Sequence, residues 1–324
     1  MNLDRILVIQ TAFLGDVILA SVVWENLHRK YPLAQIDVVV KKGNESLLHA
    51  HPFIKEVFIF DKQHKFKNLL GLGKTLREKK YDLIINLQRF ASSGLLTLLA
   101  GGKESRGFKK NPLSIFYSKR FAHELKANWH EVDRNLQLIA DLIDTPIRRP
   151  QLYPSHFDRD KVKALQNNAY YCLAPTSVWF TKQAPEHIWL QLIEKIKHTN
   201  TTIYLLGAPT DRFVLDALKN QAPDAHVVNL AGELSLLQSA ALMAGAQRNF
   251  VNDSGPLHLA SATNAPVTAF FCSTVPEFGF GPLSNDSQII EVANLDCRPC
   301  GLHGHKSCPK GHFRCGVDLE VPAI

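Results

Sequence analysis

Three short runs carry residue types whose spacing can do chemistry. The first is Thr11-Ala-Phe-Leu-Gly15-Asp16, between a strand-like run and a helix-like one. Gly15 lets the backbone turn there, and Asp16 falls at a helix start, where unpaired N–H groups stabilise a carboxylate. Such a carboxylate is either a helix cap alone or a base facing substrate that removes a proton from an incoming hydroxyl. The second run is Val251-Asn-Asp253-Ser254-Gly255-Pro256-Leu-His258-Leu-Ala260. Pro256 suits the start of a helix, and the N–H groups of Ser254 and Gly255 would form an anion site of diphosphate size. Ser254 adds a hydroxyl donor, while Asp253 repels phosphate and suits sugar hydroxyls. An ordinary capped helix is the plain alternative. The third run is Ala174-Pro-Thr176-Ser177-Val-Trp-Phe-Thr-Lys182-Gln-Ala-Pro-Glu-His-Ile-Trp189. Its two hydroxyls close a strand, and Lys182 lies in the following loop. Lys182 there is either a solvated loop lysine or a flexible ammonium that neutralises a diphosphate leaving group.

Two tempting nucleotide motifs fail. Gly71-Leu-Gly-Lys-Thr75 looks like the end of a phosphate loop, but position 68 is Asn instead of the required Gly, and no strand leads into it. No GxGxxG follows either leading strand, which disfavours a dinucleotide dehydrogenase.

The elements that must hold these runs alternate. Apolar strand-like runs are read at Arg5–Gln10, Gln35–Val40, Val57–Phe60 and Asp82–Leu87, with helices at Val17–Tyr31 and Phe66–Lys80. Around 144–160 the pattern gives way to a Pro-rich, aperiodic stretch, read as a linker. Alternation then restarts, with strands at Tyr170–Ala174, Thr201–Leu206, His226–Leu230, Arg248–Val251 and Val267–Phe271. Helices fall at Glu186–His198, Asp211–Gln221, Ser235–Ala244 and Pro256–Thr263. This is the pattern of right-handed βαβ crossovers and parallel sheets. It predicts two α/β domains in tandem, residues 1–155 and 156–324, with the chemistry in loops after strands and a cleft between domains as the default site.

A chain of 324 residues is long enough for two cores. Its composition is that of a globular protein, which excludes collagen-like, disordered and disulfide-scaffold classes. No run of 18 uncharged apolar residues exists, and the apolar start is interrupted by Asp4 and Asp16 with no cleavage site after it, so it reads as mature cytoplasmic structure. The net charge of +7 is uneven. Residues 61–80 hold seven basic side chains against two acidic ones, and residues 103–120 hold six against one. Both segments favour an anionic partner over neutral ones, unless they are only solvated helix faces. Nucleic acid has no recognised motif here beyond charge.

Taken together, ILVIQTAFLGDVILA, K-x-x-P-x-x-x-W and D-S-G-P-x-H-L-A, followed by CRPC…CPKGHFRC, resemble the ADP-heptose:lipopolysaccharide heptosyltransferases of glycosyltransferase family nine. Within them the likeness is to the heptosyltransferase II type, over nearly the whole chain. The resemblance implies a GT-B architecture, two Rossmann-like domains with parallel sheets facing across a cleft. The first domain would take a lipid-linked anionic core oligosaccharide and the second the ADP-heptose donor. It implies inversion at the anomeric centre with no metal or other cofactor required. By the same resemblance Asp16 is the general base and Lys182 the diphosphate-neutralising lysine. Thr11 and Gly15 are substrate-binding positions, and Thr176 and Ser177 are the paired hydroxyls near the phosphates. Asp253, Ser254, Gly255 and His258 hold donor sugar and phosphates, Asp211 is the ribose acid, and Leu234 lies beside the adenine. The basic segments, both in the acceptor half, would meet the phosphorylated core and hold the enzyme peripherally against an anionic inner membrane. The alternatives are a related transferase with another sugar nucleotide or glycan acceptor, and a non-catalytic nucleotide-binding protein.

Six cysteines remain to be placed. Cys172 and Cys272 fall in strands and read as buried thiols. Cys297, Cys300, Cys308 and Cys315 are spaced C-x2-C-x7-C-x6-C. In a reducing compartment that spacing suits structural Zn²⁺ better than disulfides, with reduced or partly oxidised thiols packing a loop, or a disulfide, as the other readings.

Overall fold

In a computed structural model of the chain, residues 3–61, 63, 65–125, 129–199 and 201–324 are described, with the side chains of residues 65 and 66 left aside. The chain divides into two compact units, Met1–Tyr153 and Pro154–Ile324.

The first unit is a six-stranded sheet of β1 (Arg5–Gln10), β2 (Gln35–Lys41), β3 (Ile54–Phe60), β4 (Leu83–Asn86), β5 (Glu104–Phe108) and β6 (Lys119–Phe121). Its strand order is β3-β2-β1-β4-β5-β6, and every pairing is parallel. Helices α1 (Leu14–Lys30), α2 (Lys65–Glu78), α3 (Ala91–Ala100) and α4 (Glu131–Leu136) join the strands. One face of the sheet is closed by Leu7, Ile9, Val39 and Ile84 packing on Leu69 and Leu76 of α2 and Leu96 and Ala100 of α3. The Gly71-Leu-Gly-Lys-Thr75 run lies within α2 and is no phosphate loop. Gly73 is there for close packing, since a Cβ on it would sit 2.7 Å from the Leu99 Cβ.

α1 is buried without a break from Val17 to Leu27, polar Ser21, Glu25 and Asn26 included. Those three groups need partners, because an unsatisfied buried polar group is costly. They find them in the Pro-rich stretch. Asn26 donates from Nδ2 to the Ile147 carbonyl (2.8 Å) and accepts from the Ile147 N–H (2.8 Å). The Ser21 hydroxyl accepts from the Gln151 N–H, and the Tyr153 hydroxyl donates to Glu25. The boundary between the two units falls inside this expected linker. Its first half is strapped onto α1, and its second half opens α5 (His156–Lys163), whose capping box pairs Ser155 with Asp158.

The second unit repeats the design with β7 (Tyr170–Ala174), β8 (Thr202–Leu205), β9 (Val227–Asn229), β10 (Arg248–Asn252), β11 (Val267–Phe271) and β12 (Ser287–Glu291). The order is β12-β11-β10-β7-β8-β9, again parallel throughout. Counted from its own first strand, this is the order of the first unit, 3-2-1-4-5-6, the Rossmann arrangement. The remaining helices are α6 (Glu186–Lys197), α7 (Arg212–Asn220), α8 (Leu236–Ala244), α9 (Gly255–Thr263) and α10 (Arg314–Val317). Phe313, Cys315 and Leu319 belong to the same buried cluster as Trp189, Leu192 and Ile196, so the cysteine-rich segment is part of this unit's core.

In both sheets the order reverses beside the first strand: β1 lies between β2 and β4, and β7 between β8 and β10. Open α/β sheets bind ligands beyond the carboxyl ends of strands at such a reversal. All three sequence runs follow β1, β7 or β10.

Candidate functional site

In the first unit, Asp16 is the third residue of α1, and Phe13 holds the N-cap position. The side chain is half-buried, and no ion pair among the described residues reaches it. Burial, reinforced by the nearby Glu131 carboxylate, pushes its pKa up to about 6, against the opposing pull of the Phe13 N–H and of Arg89. A carboxylate with a pKa near neutrality is a competent proton acceptor. Glu131 is itself kept ionised, its pKa lowered despite burial, by His123 (3.3 Å) and by Arg134 Nε (2.6 Å). Arg89 lies in the loop after β4, which Asn111 ties down by donating to the Gln88 and Phe90 carbonyls. Thr11 is buried at the end of β1 and Gly15 is half-buried at the start of α1. Arg89 and Glu131 carry no sequence signal; only the fold brings them near Asp16.

In the second unit, residues read with separate roles come together. Lys182 Nζ lies 2.6 Å from Asp253 Oδ2, with both side chains largely out of solvent. The same oxygen accepts the Thr274 hydroxyl at 2.6 Å. The Asp253 carboxylate thus neutralises the lysine beside it. Ser254 is the N-cap of α9, with Gly255 first and Pro256 second in the helix. Pro256 has no N–H and the Leu257 N–H donates to the Ser254 carbonyl (3.1 Å), which leaves the N–H groups of Ser254 and Gly255 for an anion. An ammonium and a helix amino terminus therefore flank one acidic residue.

Asn252 fixes the loop that carries Lys182. Fully buried at the end of β10, it accepts the Ala184 N–H (2.9 Å) and donates to the Pro175 carbonyl (2.8 Å), gripping both ends of residues 175–184. Thr176 donates to Asp211 Oδ2 (2.9 Å), the oxygen that also takes the Ala208 N–H (2.8 Å). Asp211 and Thr176 are therefore one hydrogen-bonded pair across the ends of neighbouring strands. Ser177 is half-buried and holds Gln183 through its carbonyl. Leu234 is partly buried in the turn between β9 and α8. His258 is buried in α9, edge-on to Phe280.

Cys172 and Cys272 are buried thiols, as expected, and burial raises the pKa of each far above its usual value. The other four are free thiols as well. Burial and the neighbouring cysteines raise Cys315 to about 11. Burial also acts on Cys308, but the N–H groups of Phe313, Lys310, Gly311 and His312 outweigh it and lower that thiol. Among the described residues no three His, Cys, Asp or Glu side chains stand close enough to hold a metal ion. As the side chains lie, the four thiols form no such group.

Part of the charge in the basic segments is paired. Arg106 is buried and bonded to Glu104 (2.6 Å) and Asp141, Lys119 pairs with Asp141 (2.6 Å), and Lys103 with Asp82 (2.7 Å). Lys109, Lys110 and Arg120 remain exposed, as do Lys67, Lys74, Arg77 and Lys80 in the other segment. Lys62 lies outside the described residues. No helix among the described residues is long and apolar enough to cross a membrane.

Comparison with known proteins gives these features a frame. Over 91% of its length the chain is 29% identical to lipopolysaccharide heptosyltransferase 1 of Pseudomonas aeruginosa, covering 86% of that protein. Its fold matches a solved family 9 glycosyl transferase of Veillonella parvula, with a TM-score of 0.81 at 21% identity over 89% of this chain and 86% of that one. It also matches the Escherichia coli ADP-heptose LPS heptosyltransferase II, with a TM-score of 0.79 at 24% identity over 96% of both chains. The two parallel Rossmann-like sheets are those of the GT-B class of α/β transferases. The model of glycosyltransferase family 9 (heptosyltransferase) matches residues 69–310, well over half of the chain. On that match the chain is a glycosyltransferase and belongs to family 9, the heptosyltransferases.

Proposed function

We propose that the protein transfers heptose from ADP-heptose to the inner core of lipopolysaccharide, with inversion and without a metal cofactor. The relatives' names, which specify lipopolysaccharide and ADP-heptose, support this choice of substrates. The observation that carries the mechanism is the Lys182 ammonium held beside the α9 amino terminus at the strand-order reversal. The reaction is a single displacement. An acceptor hydroxyl oxygen bonds to the anomeric carbon as the bond from that carbon to the diphosphate oxygen breaks. Asp16 takes the hydroxyl proton, and ADP leaves with the electron pair. Lys182 and the N–H groups of Ser254 and Gly255 meet the charge that develops on the leaving oxygen, by preorganised electrostatic stabilisation. Ser254 and Gly255 contact the phosphates, Thr176, Ser177 and Asp211 hold the ribose-phosphate end, and Leu234 lies against the adenine.

The exposed Lys109, Lys110 and Arg120 favour an acceptor bearing phosphate or carboxylate, and peripheral attachment of a cytoplasmic enzyme to an anionic membrane surface. The test is thermal stabilisation and turnover with ADP-heptose, UDP-sugars and GDP-sugars, using a lipid-linked core acceptor with and without a chelator. Selective stabilisation by ADP-heptose and chelator-insensitive transfer are expected. Preference for another nucleotide sugar would replace the donor, and loss of turnover on chelation would remove the metal-free mechanism.

A further inference from the structure

The cysteine-rich segment is exposed along most of residues 301–312, with Gly304 buried in the middle of it. A Cβ on Gly304 would lie 2.7 Å from Lys182 Cγ and collide with the Trp179 Cβ, so backbone of this segment rests directly on the stem of Lys182. The neighbouring Thr181 is fully buried, and each of its polar groups is taken. Its N–H donates to the His305 carbonyl (3.1 Å), and its hydroxyl oxygen accepts the His305 N–H (2.8 Å) and the Ser273 hydroxyl (3.0 Å). Its carbonyl accepts the Ser273 N–H (3.1 Å), and Ser273 in turn accepts the Cys300 N–H (3.0 Å). On the other side, Phe180 packs on Phe313 with ring centres 5.1 Å apart.

Asn252 thus holds the ends of the lysine loop, while its middle is held by the cysteine-rich segment. A lysine stem has four rotatable bonds and much entropy to lose, so a backbone wall along it narrows where the ammonium can point. We propose that residues 300–313 are a positioning element for the Lys182 ammonium, acting through Gly304 and Thr181, so that the charge is already in place when a diphosphate arrives. This rests on the role proposed above for Lys182, and the experiment separates the two.

ADP and adenosine binding are measured by calorimetry on the full chain. Gly304→Ala is expected to weaken ADP about tenfold while leaving adenosine unchanged. In a Lys182→Met background the same substitution should have less than about a twofold effect on ADP, since both changes then act on one group. Thr181→Val should reproduce the loss and Thr181→Ser should restore wild-type affinity; this pair decides the matter if Gly304→Ala does not fold. Equal ADP loss from Gly304→Ala in both backgrounds, or unchanged ADP affinity in Gly304→Ala or Thr181→Val, would overturn the positioning role. Unchanged ADP affinity in Lys182→Met alone would instead remove the reading of Lys182 itself.

Discussion

Asp16 follows β1 and Asp253 follows β10, the neighbour of β7, each beside the order reversal of its sheet, yet the two acidic residues are treated in opposite ways. Asp16 sits half-buried beside a second carboxylate, with only Arg89 and backbone N–H groups to favour its charge, and its pKa rises to about 6. Asp253 is given an ammonium at 2.6 Å and a hydroxyl on the same oxygen. The first arrangement leaves a carboxylate ready to take a proton. The second uses one to hold a cation in place. Chemical identity is the same; the environment decides the role.

The contrast can be broken most directly at Asp16. Asp16→Ala should lower turnover about 10³-fold, within the range that general bases contribute, while donor affinity stays within about twofold. Asp253→Ala should instead reduce donor affinity, because it releases Lys182. Matching losses of donor affinity in the two variants would erase the distinction.

A pH profile sharpens it. Asp16 must be ionised to accept a proton, so kcat/KM should fall as pH drops below about 6, and the residual activity of Asp16→Ala should lack that limb. An acid limb retained in the variant would assign the titration elsewhere.

The smallest effect is on stability. A carboxylate whose pKa is raised on folding from 3.8 to about 6 opposes folding when charged, and this cost disappears as pH falls through 6 toward 3.8. Asp16→Asn should therefore stabilise the protein at pH 7.5 by about 1–2 kcal/mol, a value reduced from the full shift because the group is partly exposed. The gain, read as a higher Tm, should vanish near pH 4. A lower Tm at pH 7.5 would mean that the ionised carboxylate supports the fold.

The alternation of apolar strands and amphipathic helices was legible wherever strands are buried on both faces, and β1, β7 and β11 begin and end where the sequence places them. Residues 88–143 were not legible, for physical reasons. β5 reads Glu-Ser-Arg-Gly-Phe because its central Arg106 is buried and satisfied by Glu104 and Asp141, partners whose approach no local pattern announces. α3 opens on Ala-Ser-Ser-Gly, a turn-like composition, and β12 is an exposed edge strand. The same limit applies to the candidate site. Asp16, Lys182 and Asp253 stand out by type and spacing, but the Lys182–Asp253 pair spans 71 positions and the Thr181–His305 bonds span 124. Contacts of that reach are made by the order of strands, so the individual residues were readable and their partnerships were not.

The shared oxygen of Asp253 also bears on how the catalytic cycle ends. When an incoming anion draws the ammonium away, the Thr274 hydroxyl still caps the carboxylate, so no buried charge is left bare. Once the nucleotide has gone, that carboxylate takes the same cation back. On the proposed reading, the acid that keeps Lys182 ready is also what resets the enzyme for another turnover.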